Sequence, residues 1–229
     1  MTVKRQRNGG PNFVPIGPIF PPENLQSVGR QSYGRTADGN GYIHLRDIPG
    51  DLPQQLDQIL KTLGDIPGLI LDMRANGGGG CDHEAVFGRF LAIGPSLGQH
   101  RGLSGNSCTG PMVVIIDAGV RSAGETIAGM FKEDVRAYLI GDTPTAGTSS
   151  QKQKITTPSG KFTVRFSVRS NMQRFNGGRG IEGIGIPPHE LVPTNAVDLT
   201  QREDTKIKRA TALLKSGFPQ GTVKYNTTR

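Results

Sequence analysis

Two short stretches of this 229-residue chain carry residue types that suit acyl-transfer chemistry. In Val120-Arg121-Ser122-Ala123-Gly124-Glu125 a serine stands between the apolar run Met112 to Ile116 and a segment with helical spacing, Ile127, Met130 and Phe131. A serine at such a strand-to-helix turn has an exposed hydroxyl, and the helix N-terminus favours developing negative charge. The second stretch, Asn76-Gly77-Gly78-Gly79-Gly80, follows the apolar run Gly68 to Met73. Consecutive glycines leave backbone N–H groups open and let a reacting oxygen approach closely. Each feature alone has a plainer reading, as an N-cap or as turn chemistry. Together, at the ends of two buried strands, they suit a nucleophile and an oxyanion hole, which must meet within ~3 Å of one reacting atom.

A serine hydroxyl needs a base. The chain has four histidines, His44, His83, His100 and His189. His83 follows the glycine loop and His44 sits on a strand running toward the same edge, so these two are the internal candidates. His100 and His189 are expected at the surface. Lys132 lies ten residues beyond Ser122 on the same helix, ~15 Å along its axis and out of reach. Lys152 and Lys154, at a strand start, are outside candidates. Cys81 and Cys108 fit no zinc spacing, because no CxxC exists; a disulfide or two buried thiols both remain open. No metal or cofactor is expected.

The elements that position these stretches follow from apolar periodicity. Tyr42 to Arg46 alternates as a strand. Leu52, Leu56, Ile59, Leu60 and Leu63 recur at helical spacing after Asp51 as cap and Pro53 in the first turn, and Gly64 ends the helix. Gly68 to Met73, Met112 to Ile116 and Ala137 to Ile140 are short and wholly apolar, the mark of strands covered on both faces. A helix with Val86, Phe90 and Leu91 inward follows the first of these. Strands alternating with helices imply an α/β fold with a mainly parallel sheet and right-handed crossovers. Gln151 to Thr156 and Lys161 to Val168 flank Pro158-Ser159-Gly160 and predict a β-hairpin with Phe162, Val164, Phe166 and Val168 on one face. The last helix, near Thr200 to Lys215, is amphipathic through Ile207, Ala210, Leu213 and Leu214.

Residues 1–39 read as the remnant of an upstream domain and a Pro/Gly-rich linker, 40–217 as the core, and 218–229 as a C-terminal tail. Thr2 to Arg7 suits one short strand, whereas Gly9 through Pro22 is too rich in glycine and proline for a regular element. The net charge of +8 reads as a scatter of single cations rather than the basic stripe of a nucleic-acid binder. The basic start MTVKRQRNGG lacks the apolar region of a signal peptide, and no run approaches the ~20 apolar residues of a membrane span.

With these residues in view, the chain resembles the S41 peptidases, the C-terminal processing (tail-specific) and tricorn-type proteases. Gly41-Tyr42-Ile43 and Leu69-Ile70-Leu71-Asp72-Met73-Arg74-Ala75-Asn76-Gly77-Gly78-Gly79 resemble that family's buried strand, Asp-x-Arg-x-Asn and glycines. Pro111 to Asp117 with Ser122-Ala123-Gly124-Glu125 resembles its nucleophile segment. Leu139-Ile140-Gly141-Asp142, Thr145-Ala146-Gly147, and Ile181 to Ile186 with Pro188 resemble later segments, in order, over about residues 40 to 217.

The resemblance implies a spiral α/β fold like that of ClpP and crotonase, and endopeptidase activity on protein or peptide. It implies Ser122 as nucleophile, and Ala123 with Gly77 or Gly78 as oxyanion-hole donors. It implies Glu182 as the acid supporting a catalytic histidine, and an exported protein. Glu125 is expected to pin the helix start. Two departures stand out. Thr145-Ala146-Gly147-Thr148 lacks the lysine of the processing branch and resembles the histidine-dependent branch, whose histidine comes from a region upstream of this core. His189 stands where the family usually has aspartate. The expected base is therefore outside these residues. A non-catalytic peptide- or apolar-ligand-binding module on the same fold is the alternative; a crotonase-type acyl-CoA enzyme is disfavoured by the Ser122 segment.

Overall fold

The structure, a computed structural model, describes residues 2–7, 10–15, 17–94, 96, 97, 100–103, 105, 108–149, 151–169 and 174–224. Its centre is a seven-stranded sheet. In chain order its strands are β3 (Gln26–Val28), β4 (Gln31–Arg35), β5 (Gly41–His44), β6 (Leu69–Asp72), β9 (Met112–Ile116), β10 (Tyr138–Gly141) and β13 (Glu190–Leu191). The spatial order is β13-β10-β9-β6-β5-β4-β3. From β13 to β5 all neighbours are parallel, while β4 and β3 are added antiparallel.

The apolar runs sit in the middle of this sheet because both faces are covered. Along β9, Met112, Val114 and Ile116 join the core on one face, and Val113 and Ile115 join the core on the other. The first face is covered by helices α1 (Leu52–Leu63), α2 (His83–Gly88) and α3 (Ala123–Glu133), and the second by α5 (Thr205–Ser216) through Ala210 and Leu213. Helix α1 has its expected bounds. Asp51 holds the cap position, but its carboxylate accepts from the Gln55 side chain rather than from a helix N–H. The predicted last helix, near Thr200 to Lys215, starts later, as α5; a separate short helix, α4 (Ala196–Thr200), precedes it across a turn at Arg202 with φ 59°. Asp204 caps α5 by accepting from the N–H groups of Lys206 and Ile207.

Regular structure begins earlier than the pattern from Gly41 suggests. Strands β3 and β4 belong to the main sheet. Gly10–Pro15, expected to be irregular, is a strand (β2) paired antiparallel with β1 (Thr2–Arg7). A two-stranded ribbon has a free edge on each strand, where a proline without N–H costs no ladder bond. The hairpin forms as predicted, from β11 (Gln151–Thr156) and β12 (Thr163–Arg169), outside the main sheet. A further small pair, β7 (Ser96–Leu97) and β8 (His100–Arg101), lies between α2 and β9.

Candidate active site

Strands β6, β9 and β10 end side by side at one edge of the parallel sheet, and in such sheets the carboxyl ends of the strands are where ligands bind. Three loops leave there: residues 73–80, 117–122 and 142–149. Asn76 joins the first two. Its buried side chain donates from Nδ2 to the Leu45 carbonyl at 2.6 Å and accepts the Gly78 N–H at 2.8 Å, while its own carbonyl accepts the Arg121 N–H at 3.0 Å. Asp117 adds a second tie, accepting the N–H of Ala75 at 3.0 Å and of Gly119 at 2.8 Å. Burial pushes the Asp117 carboxyl up, against the pull of those two N–H groups.

Ser122 sits at the N-terminus of α3 with φ 53° and ψ −122°. A non-glycine residue held there is strained, and surrounding contacts must impose it. Gly78 supplies one of them: a Cβ on it would lie 2.8 Å from the Ser122 Cβ and 2.7 Å from the Arg121 carbonyl oxygen. The glycine loop and the serine turn are thus in direct contact, as expected.

The donors of the expected oxyanion hole are in different states. The Gly77 N–H donates to the Arg46 carbonyl at 3.2 Å, and that of Gly78 to Asn76. Among the described residues the Ala123 N–H has no acceptor.

Glu125, fully buried one turn into α3, fixes the third loop to the second. Its Oε1 accepts from Thr145 Oγ1 and from the Gly147 N–H, both at 2.6 Å. Its Oε2 accepts from the N–H of Thr148 at 2.8 Å and of Ser122 at 3.1 Å. This is more than an electrostatic pin at the helix start. Ser149, which the sequence reading missed, donates from Oγ to the Ser122 carbonyl at 2.9 Å. Nothing in its sequence context marks it; only the fold brings it there. Glu182 is exposed, on a segment tied to the third loop by the Gly183 N–H bonded to the Gly147 carbonyl at 2.8 Å.

Three of the four histidines are engaged elsewhere. His44 is buried, with Nε2 against the Arg74 carbonyl at 3.1 Å. His100 is buried rather than at the surface, held between the carboxylates of Glu84 and Asp134 and packed on Phe87. His189 accepts the Leu139 N–H through Nδ1 at 2.9 Å and stacks on Tyr138. Burial, with nearby Lys132, lowers its pKa from 6.5 to about 4. His83 heads α2; its buried Nε2 lacks a hydrogen-bond partner among the described residues, and burial lowers its pKa. Its neighbour Glu84 meets His100 beside Asp134, the C-cap of α3, a full helix length from Ser122. Lys132 donates to the Pro187 carbonyl, and Lys152 and Lys154 are exposed on the hairpin.

Beneath the site lies a buried charge network. Arg74 bonds to Asp72 through Nε and Nη2 and to Asp204 through Nη1 at 2.7 Å, while the Tyr42 hydroxyl donates to Asp72 at 2.9 Å. Burial would raise the Asp72 carboxyl, but the Arg74 guanidinium outweighs it and holds the pKa below the ordinary value. Cys81 and Cys108 are free thiols; burial and Asp82 push the Cys81 thiol up to about 11. Among the described residues no cluster of His, Cys, Asp and Glu could hold a metal ion, and no helix is long and apolar enough to cross a membrane.

Fold and site together define an α/β protein with a strained serine turn set against a glycine loop at the carboxyl edge of its sheet. The chain belongs to peptidase family S41, whose family model matches residues 39–192. Its fold is also that of solved S41 structures. A Parabacteroides merdae protein assigned as a peptidase superposes with a TM-score of 0.67 at 24% identity, over 86% of this chain and 69% of that one. Mature CPAF superposes with 0.66 at 15% identity, over 91% of this chain and 59% of its own. The tricorn protease superposes with 0.60 at 24% identity, over 77% of this chain and 18% of its own.

Proposed function

We propose that the chain is the core of a serine endopeptidase in which Ser122 attacks the scissile carbonyl of a protein or peptide. The observation that carries this reading is the Ser122 backbone, φ 53° and ψ −122°, held against Gly78 in a family of peptidases. The tetrahedral oxyanion would be held by the free Ala123 N–H and by a glycine donor. Of the two glycines, Gly77 has the longer and weaker existing bond and is the easier to share. A general base takes the hydroxyl proton and returns it to the leaving amine, and water then hydrolyses the acyl-enzyme.

Three histidines are tied to partners elsewhere and His83 heads α2 next to Glu84, so the base in this reading is a histidine outside these 229 residues, oriented by Glu182, as in the tricorn-like branch. The absence of a lysine in Thr145-Ala146-Gly147-Thr148 supports that branch. Placement outside the cytoplasm rests on family resemblance alone. The second reading is a peptide- or apolar-ligand-binding module, favoured by the lack of a base beside Ser122 among the described residues.

The full-length protein, assayed on unfolded casein, separates them. Turnover abolished by Ser122→Ala supports the endopeptidase; equal turnover in both removes Ser122 from the mechanism. Turnover by the 229 residues alone that is lost in His83→Ala or His44→Ala would place the base inside the chain.

A further inference from the structure

The hairpin of β11 and β12 pairs with no other strand among the described residues, and neither outer edge has a strand partner among them. Its register sorts its side chains by face. Phe166 opposes Gln153 and Val164 opposes Ile155, so Phe162, Val164, Phe166, Val168 and Ile155 share one face, and they are 39–68% exposed. Arg165 opposes Lys154 on the other face, next to Lys152, and all three are exposed. The cations are not scattered here. From Thr143 to Ile181 the sequence holds seven Lys and Arg and no Asp or Glu.

An isolated two-stranded hairpin is marginal in water, and an apolar face left open marks a surface for a partner. The two faces select the partner. A flat lipid surface or a second copy stacked face to face would meet the apolar face or the basic face, not both. A nucleic acid would need rings and cations on one side. A strand pairing along an open edge does reach both, because its successive side chains alternate between the faces.

We infer that the hairpin is a docking edge for an extended peptide segment in which apolar and acidic residues alternate. The hairpin is rooted at the candidate site: β11 starts two residues after Ser149, whose hydroxyl holds the Ser122 carbonyl at 2.9 Å. Under the proposed peptidase reading such a segment is a substrate handle. Its binding does not depend on that reading and is measured without catalysis.

The test uses the Ser122→Ala chain and three fluorescein-labelled ten-residue peptides, read by anisotropy. One alternates Val or Phe with Asp or Glu. The second has Lys at the acidic positions. The third has the first's composition sorted into an apolar block and an acidic block. The alternating acidic peptide should bind roughly tenfold more tightly than either control, as a few exposed ion pairs together with register would give, and weaken with salt. Lys154→Glu with Arg165→Glu, both exposed and checked for folding by circular dichroism, should reverse the preference toward the Lys peptide. Equal affinity for all three peptides would overturn the inference. So would equal affinity accompanied by capture on phosphatidylserine vesicles, or by a dimer in sedimentation that Phe166→Ser abolishes.

Discussion

The Ser122 N–H donates to Glu125 Oε2 at 3.1 Å, and the same carboxylate takes four donors from residues 145–148. The strained serine turn is therefore fastened to the loop that follows β10, not only to the helix it starts. Replacing Glu125 by Ala leaves several buried N–H groups without an acceptor, which costs about 3 kcal/mol or more. The urea midpoint should fall accordingly, and a change within about 0.5 kcal/mol, as for an ordinary surface site, would show that the network contributes little.

The two glycines of the candidate oxyanion loop should respond differently. Gly78 has φ 83° and no room for a Cβ, with Arg121 and Ser122 atoms at 2.7 and 2.8 Å. Gly77 has nothing within 4 Å of an added Cβ. Gly78→Ala should therefore destabilise by roughly 2 kcal/mol and strongly lower labelling of Ser122 by a fluorophosphonate in an active form of the protein. Gly77→Ala should be near neutral in stability. Equal effects at both positions would show that close packing against the serine turn is not the reason for glycine at 78.

Arg74 bridges the buried carboxylates Asp72 and Asp204. In Arg74→Met, two buried acids lose their partner, an effect of about 3–5 kcal/mol for broken buried pairs. Denaturant titration of the variant at neutral pH should show that loss. The deficit should shrink on acidification, since Asp72, no longer held below its ordinary pKa by Arg74, then gains a proton more readily.

His189 gives the chain a pH-dependent element. Its folded pKa is about 4 against an ordinary 6.5, so the unfolded chain binds its proton first as the pH falls. The stability it supports is complete above pH 6.5, is lost through the interval down to about 4, and changes no further below that. His189→Gln keeps an acceptor for the Leu139 N–H without a titrating ring. Its urea midpoint should fall less than that of the parent between those pH values; parallel curves would contradict the assignment.

The parallel sheet was legible because strands buried on both faces must be apolar throughout, and Leu69-Ile70-Leu71 and Met112 to Ile116 are. The hairpin was legible because period-two alternation flanks a Pro-Ser-Gly turn. Strands β2, β3 and β4 were not: they are short, rich in Gln, Ser, Gly and Pro, and lack period-two apolar alternation, so their extended form comes from pairing with an adjacent strand in the chain rather than from a local pattern. The apparent scatter of cations dissolved once the strand register put Lys154 opposite Arg165.

The sequence by itself determined the α/β class, the serine at a strand-to-helix turn and the glycine loop, since each is written in contiguous residues with a fixed period or turn requirement. Only the tertiary structure decided which groups those loops offer to chemistry. Asn76 and Arg46 occupy the N–H groups of Gly78 and Gly77, Ser149 meets Ser122, and His44, His100 and His189 are tied to partners elsewhere. Apart from the Asn76–Gly78 bond, those pairings join residues far apart in the chain. Hydrogen-bond satisfaction in a buried site depends on which groups the folded backbone brings within 3 Å, and no local spacing encodes that.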